Sequence, residues 1–312
     1  MPAMNVVREM DIDKPRACVY ASLIDFKQWS AWSPWHICER ECPITVAEDG
    51  RSYAWDGAVI GKGEIHRIAE HEPGALDYHL VFLKPWKSEA KVRFELREYE
   101  GGTCLSWRMN SQLPWFMFWM RSMMEAFIGM DYDRGLLMLK AYLETGSVPS
   151  TVTIIGLEQQ PECNYIGIRR RVHMADIGND MSKDFKALGQ WFNERNLNAD
   201  GQCFSITHDW NPVKKQAEYT AAFALSKTID IDSVPENFLR GQRPASTVFT
   251  AEHIGPYHHL GNAWTAVMMR ARNKVFRQNK KRAPFEIYVN NPETTEAAAL
   301  KTRVCVPALA ST

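Results

Sequence analysis

His253-Ile254-Gly255-Pro256-Tyr257-His258-His259-Leu260-Gly261-Asn262-Ala263-Trp264 joins a strand to a helix through a Gly-Pro turn, and its surroundings decide the fold of the second half of the chain. Upstream, Ser246 to His253 reads as a strand; downstream, Leu260 to Gln278 carries a helical pattern. Phe285 to Asn290 and Thr302 to Pro307 read as two further strands. The same order occurs once before. Tyr165-Ile166-Gly167-Ile168 precedes a helix from about Ile177 to Asn196, then strands near Cys203 to His208 and Tyr219 to Leu225. Two tandem strand-helix-strand-strand units predict a pseudo-symmetric sheet with a cleft between its halves, and no shorter period points to a solenoid.

Working back from that region, Thr145-Gly146-Ser147-Val148-Pro149-Ser150 marks a boundary: a helical pattern ends in Leu139, Tyr142 and Leu143 and meets Gly, Ser and Pro. Val152 to Ile155 then opens a new strand. Before the boundary, Asn5 to Ile12 is a strand and Pro15 to Ile24 a short helix with Pro at its first turn. Six short strands follow: Ile44 to Val46, Ser52 to Trp55, Gly61 to Ile68, Leu76 to Leu83, Lys91 to Arg97 and Thr103 to Met109. Their connections are too short for parallel crossovers, so the sheet is antiparallel. Trp115 to Glu144 closes this half as a long amphipathic helix with an expected break near Gly129. A curved sheet facing one long helix can enclose a ligand cavity.

Composition narrows the classes. Hydrophobic residues are 45% and charged residues 24%, which is globular rather than disordered. Lys+Arg and Asp+Glu are both 37, so net charge gives no long-range field toward nucleic acid or an anionic membrane. The runs Arg169-Arg170-Arg171 and Lys280-Lys281-Arg282 read as solvated faces. Met1 to Asp13 lacks a signal-peptide pattern, and the most apolar stretch, Leu113 to Ile128, is broken by Arg121 and Glu125. Seven scattered cysteines are expected to be reduced thiols, so the expected compartment is the cytoplasm. His36, Cys38 and Cys42 lack the second ligand pair of a structural zinc site, and no phosphate-binding loop or nucleophile elbow occurs. No metal and no cofactor is expected.

The His253-to-Trp264 segment resembles the "H-x-G-P-Y-x-x-L-x-x-x-W" turn of gyrase-inhibitor-like effector domains. Pro284-Phe285-Glu286-Ile287-Tyr288-Val289-Asn290-Asn291-Pro292 resembles their "P-x-E-x-Y-x-x-x-P" strand, and Leu300 to Pro307 their terminal "L-x-T-x-V-x-x-P" strand. The same module is the sensor of AraC-type and MerR-type regulators and also a stand-alone binder. The first half is similar to the START-like superfamily that includes polyketide cyclases, through Trp29-Ser30-Ala31-Trp32-Ser33-Pro34-Trp35, Gly61-Lys62-Gly63, Thr103 to Trp107 and the Gly129-to-Leu143 helix. The expected fold class is α+β. Residues 1–146 would be a helix-grip antiparallel sheet with a long C-terminal helix; residues 151–312 would be a tandem βαββ pseudo-symmetric effector-binding fold. Residues 1–145 show no pair of helix-turn-helix units, so no DNA-binding domain is expected.

Glu286 is the first candidate for function. It lies between Phe285 and Ile287 in a strand expected to be buried, where an unpaired carboxylate is costly. Strand alternation puts Tyr288 on its face. A carboxylate among aromatic rings suits a lipophilic cation through charge pairing and cation–π attraction. The resemblance implies the same, because the matching Glu of the family faces the ligand. Tyr219 and Phe223, which share a strand face, and Tyr165 are further cleft candidates. Trp264 either lines the pocket or packs on the Gly255-Pro256 turn, and His253 is either a pocket group or a hydrogen-bonded structural histidine. In the first half, Trp55, Trp107 and Met109 face Phe127 and Met123, as a ligand cavity or as an aromatic core.

The leading function is non-catalytic binding of an amphipathic or cationic small molecule, with no nucleic-acid or membrane partner and with a homo-oligomer left open. The enzyme alternative takes Glu286 as a general base in a hydrolase of small electrophiles, as some relatives are. A third class is an interaction protein that acts on a macromolecule, as the gyrase-inhibitor name implies.

Overall fold

The computed structural model describes residues 3–84, 87–195, 197, 202–225 and 234–309. Its α+β chain divides into two units, Met1–Pro149 and Ser150–Thr312, each built on one large antiparallel sheet.

In the first unit, β1 (Ala3–Ile12) leads into two short helices, α1 (Arg16–Ile24) and α2 (Phe26–Trp32). Strands β2 (Ile44–Val46), β3 (Ser52–Asp56), β4 (Lys62–His71), β5 (Ala75–Lys84), β6 (Ser88–Tyr99) and β7 (Gly102–Gln112) follow, and α3 (Arg121–Thr145) closes the unit. The seven strands stand in the order β1-β7-β6-β5-β4-β3-β2. Period-two alternation builds the inner face: Val92, Phe94 and Leu96 on β6, and Leu105, Trp107 and Met109 on β7, are all buried.

The concave face is filled by rings. Trp107 stacks on Tyr132 of α3 at 3.9 Å between centroids and lies near Phe94, Trp32 and Trp35. Met109 is buried with them, and Trp55 is half-buried beside Tyr53 and Phe82. Phe127 and Met123 do not join this group; both are exposed. Two residues is about 200° around a helix, so Phe127 points away from the buried stripe of Gly129, Tyr132, Leu136 and Leu139.

The expected break at Gly129 is absent, and α3 is continuous from Arg121 to Thr145. The glycines instead permit close approach: a Cβ at Gly129 would meet the Arg8 guanidinium, and one at Gly135 would meet the Trp107 ring and Pro34. The helix starts later than expected, because Trp115–Met120 forms a 3-10 turn after Pro114. Trp115 and Trp119 of that turn are 75% and 68% exposed. Gly146, at φ 84°, ends the helix in the left-handed conformation that glycine adopts without strain.

The second unit contains β8 (Thr151–Gln160), β9 (Cys163–His173), α4 (Ile177–Glu194), β10 (Cys203–Asn211), β11 (Gln216–Ala224), β12 (Leu239–Arg243), β13 (Ser246–Ile254), α5 (Gly261–Arg272), β14 (Phe285–Tyr288) and β15 (Lys301–Pro307). The sheet order, β12-β9-β11-β10-β14-β15-β13-β8, reads as a palindrome of two repeats. Each repeat is a strand, a helix and two strands, and its preceding strand is exchanged: β8 pairs with β13, and β12 with β9. The repeats meet where β10 pairs with β14.

The sheet is strongly curled. Five strands lie between β12 and β13, about 29 Å in a flat sheet, yet only Pro244 and Ala245 connect them, a span of at most about 11 Å. Arg243 accordingly reaches across the inside of the curl, its guanidinium 4.2 Å from the Phe285 ring centroid. Phe204, Ile206, Phe285, Ile287 and Cys305 are buried on this inner face.

The other face carries the helices. Leu188, Trp191 and Phe192 of α4 pack on Ile166, Ile168 and Phe223, while Ala263 and Val267 of α5 pack on Phe249, Val304 and Val306. Two helix ends differ from expectation. Asn196, the expected end of α4, lies outside the described residues. Helix α5 stops at Arg272 rather than Gln278, because Asn273 caps it and Lys274 takes a left-handed φ of 60°.

Candidate functional site

Between the footprints of α4 and α5, the central strands β10 and β14 turn polar side chains onto the helix face. Ser205 stands directly opposite Glu286, and Cys203 opposite Tyr288, at the junction of the repeats. Glu286 is half-buried and makes three hydrogen bonds. Its Oε1 accepts from Trp264 Nε1 at 2.5 Å. Its Oε2 accepts from Tyr288 Oη at 2.6 Å and from Ser205 Oγ at 3.3 Å. All three donors are neutral, and no Lys or Arg forms an ion pair with Glu286 among the described residues.

Aromatic rings wall the carboxylate. Tyr288 meets Phe185 edge-on at 5.4 Å and Tyr257 at 5.6 Å. Phe185 stacks on Phe223 at 5.9 Å. Met181 Sδ lies 3.2 Å from Tyr288 Oη. Burial pushes the Glu286 carboxyl above the usual carboxylate range, against the opposing pull of the Tyr288, Trp264 and Ser205 donors. Burial and the neighbouring Glu286 charge push the Tyr257 phenol up to about 12. Burial alone pushes the Cys203 thiol up to about 11, which leaves it a neutral group of the cleft.

The structure brings Glu286, Tyr288 and Trp264 together, with Phe223 one ring further out. The other expected residues lie elsewhere. Tyr219 donates to Asp184 Oδ2 of α4 at 2.8 Å, and Asp184 also binds Arg170, so this tyrosine is engaged away from Glu286. Tyr165 is on the wrong face: alternation sends Ile166 and Ile168 to the helices and Tyr165 into the curl, against Phe204. His253 is fully buried, with Nε2 2.9 Å from Ser150 Oγ, the structural role among its two alternatives.

Four contributors escaped sequence reasoning. Tyr257 was in plain view within the quoted turn, and Ser205 is the hydroxyl between Phe204 and Ile206. Met181 and Phe185 carry no local signal, since only the packing of α4 sets them against Tyr288. His36, Cys38 and Cys42 form no metal cluster; among the described residues no group of three His, Cys, Asp or Glu could hold an ion. No described helix is long and apolar enough to cross a membrane.

The two-repeat antiparallel sheet thus presents one carboxylate among aromatic rings. Residues 155–309, just under half of the chain, match the family model of the GyrI-like small molecule binding domain. No curated protein matches the chain. Among solved structures, EcmrR in an EcmrR–DNA complex is 21% identical, covers 60% of this chain and 65% of its own, and has a TM-score of 0.43. SAV2435 bound to tetraphenylphosphonium is 14% identical, over 49% of this chain and 92% of its own, with a TM-score of 0.39. CalU16 from Micromonospora echinospora is 17% identical, over 46% of this chain and 78% of its own, with a TM-score of 0.34. The chain therefore spans just under two thirds of the EcmrR chain.

Proposed function

We propose that the second unit binds an amphipathic organic cation in the cleft between α4 and α5, anchored by Glu286. One observation carries this: the carboxylate is held by three neutral donors, has no cationic partner among the described residues, and is walled by Tyr288, Tyr257, Phe185 and Trp264. A half-buried negative charge in that state gains most from a ligand that brings a positive charge and apolar surface together. Both carboxylate oxygens already accept hydrogen bonds, which suits a fixed anionic anchor better than a base that must turn toward water; binding is therefore preferred to hydrolysis. The first unit is read as a START-like domain whose ring-filled interior packs rather than carries ligand. The whole is read as a cytoplasmic binder that needs no cofactor.

The test is titration with tetraphenylphosphonium, a probe of the right chemistry, followed by tryptophan quenching and calorimetry. Removing a hydrogen-bonded charge costs about 1.5–3 kcal/mol, so Glu286→Gln should weaken binding by about 10- to 150-fold. Equal affinity in Glu286→Gln and wild type would sink the charge-anchor account.

A further inference from the structure

The two basic runs of the sequence differ sharply in the structure. In Arg169-Arg170-Arg171 every guanidinium has a carboxylate: Arg169 and Arg171 bind Glu218 at 2.7 and 2.6 Å, and Arg170 binds Asp184 at 2.6 Å. The run at Lys280 is the end of a longer stretch. From Arg270 to Arg282 there are seven Lys and Arg residues, and no Asp or Glu occurs from His253 to Phe285. Among the described residues, Arg272, Lys274, Arg277, Lys280, Lys281 and Arg282 form no ion pair. All of these except the half-buried Arg282 are exposed. A protein of zero net charge has enough carboxylates to neutralise these six cations, and among the described residues none pairs with them.

The stretch is also shaped. It leaves the end of α5, turns at Lys274, and passes over a notch of about 460 Å³. Thr207, His208, Gln278, Lys280, Lys281 and Arg282 line the notch, with Ala283 and Pro284, and no carboxylate is among them. Asn279 organises the loop by accepting from the Lys281 and Arg282 amides, and the Arg282 guanidinium is anchored on the Ala245 carbonyl. His208, at a bulge of β10, is held by Thr220 at 2.7 Å. The cations are thus displayed from a fixed turn.

We propose that the segment from Arg270 to Arg282, with the notch beneath it, binds the phosphate backbone of a nucleic acid. A single small anion would engage two or three of these cations; the row extends from the end of a helix through a thirteen-residue stretch, which suits phosphates repeated along a strand. A bilayer surface fits less well. Its peripheral binders add Trp, Phe or Leu to the charge, whereas here Val275 is exposed and Phe276 is buried in the core. Binding would be electrostatic and sequence-independent, and it does not depend on the Glu286 cleft.

The experiment is fluorescence anisotropy of a short fluorescein-labelled DNA duplex titrated with the full chain at several salt concentrations. Micromolar binding at low salt is expected, weakening about a hundred-fold between roughly 50 and 200 mM salt if about four phosphates are neutralised. Lys280→Glu/Lys281→Glu should weaken binding at least ten-fold and flatten the salt slope. Lys186→Glu/Lys214→Glu, the same change of charge at other exposed positions of the unit, should leave it within two-fold. The proposal is overturned if wild type fails to bind at low salt, if both double variants behave alike, or if binding is to inorganic tripolyphosphate alone. Stronger binding to phosphatidylglycerol vesicles than to the duplex would overturn it too.

Discussion

The Trp264 indole N–H donates to Glu286 Oε1 across 2.5 Å, so a residue of α5 fixes the carboxylate of β14. This bond opposes the upward push of burial on the carboxyl. Trp264→Phe keeps the ring and removes the donor, so the Glu286 pKa should rise further. Cation binding needs the carboxylate; it is complete above that pKa and fades as pH falls through it. The variant should therefore lose tetraphenylphosphonium affinity at a higher pH than wild type. Dissociation constants measured across pH check this, and coincident midpoints would remove Trp264 from the site.

Glu286 should cost stability at neutral pH. A carboxyl whose folded pKa lies above its unfolded value contributes stability that is full below the unfolded value and lost as pH rises through the folded one. Glu286→Gln removes that loss and keeps an acceptor for Trp264. Its Tm should equal or exceed that of wild type at neutral pH, with the advantage shrinking toward acid. A variant several degrees less stable at neutral pH would make Glu286 a structural group.

Glu286 and Tyr288 were legible together because two same-face positions of one strand need only alternation and a motif. Tyr219 had the right face, but its partner Asp184 comes from a helix whose rotation no local pattern fixes. Tyr165 failed on parity: the sequence pairs it with Gly167 against Ile166 and Ile168 without saying which pair meets the helices. The exchanged strands β8 and β12 were invisible as partners, because each pairs with the other repeat. Whole-chain charge balance hid the contrast between Arg169–Arg171 and Lys280–Arg282, which depends on where the carboxylates fold.

The Asp184 cluster should hold α4 to the sheet. Asp184 is 1% exposed and takes both Arg170 Nε and the Tyr219 hydroxyl. Tyr219→Phe deletes one hydrogen bond to a buried charge and should cost about 1–3 kcal/mol. Asp184→Ala leaves Tyr219 without its acceptor and should cost more, about 3 kcal/mol after allowing for the half-exposed Arg170. Urea unfolding would read both, and a Tyr219→Phe chain as stable as wild type would show the contact to be idle.

Acid should destabilise the second unit through two histidines. His253 and His259 are 0% and 2% exposed, and burial pushes each down to about 4, helped by the neighbouring His258 charge. An unfolded histidine titrates near about 6.5, so between those values the unfolded chain holds protons that the folded chain refuses. Stability should be full above about pH 6.5 and fall toward pH 4, by an amount of the order of 3 kcal/mol for each ring. His253 also anchors Ser150, whose hydroxyl accepts from Asn262 at 3.0 Å, so its protonation strains the packing of the first helical turn of α5. His253→Gln retains a hydrogen-bonding group toward Ser150 and removes one titrating site. The pH slope of its unfolding free energy should shrink by up to about 1.4 kcal/mol per pH unit inside that window and match wild type above it. Denaturant melts at closely spaced pH values measure the slope, and an unchanged slope would mean that His253 is not among the groups that set acid stability.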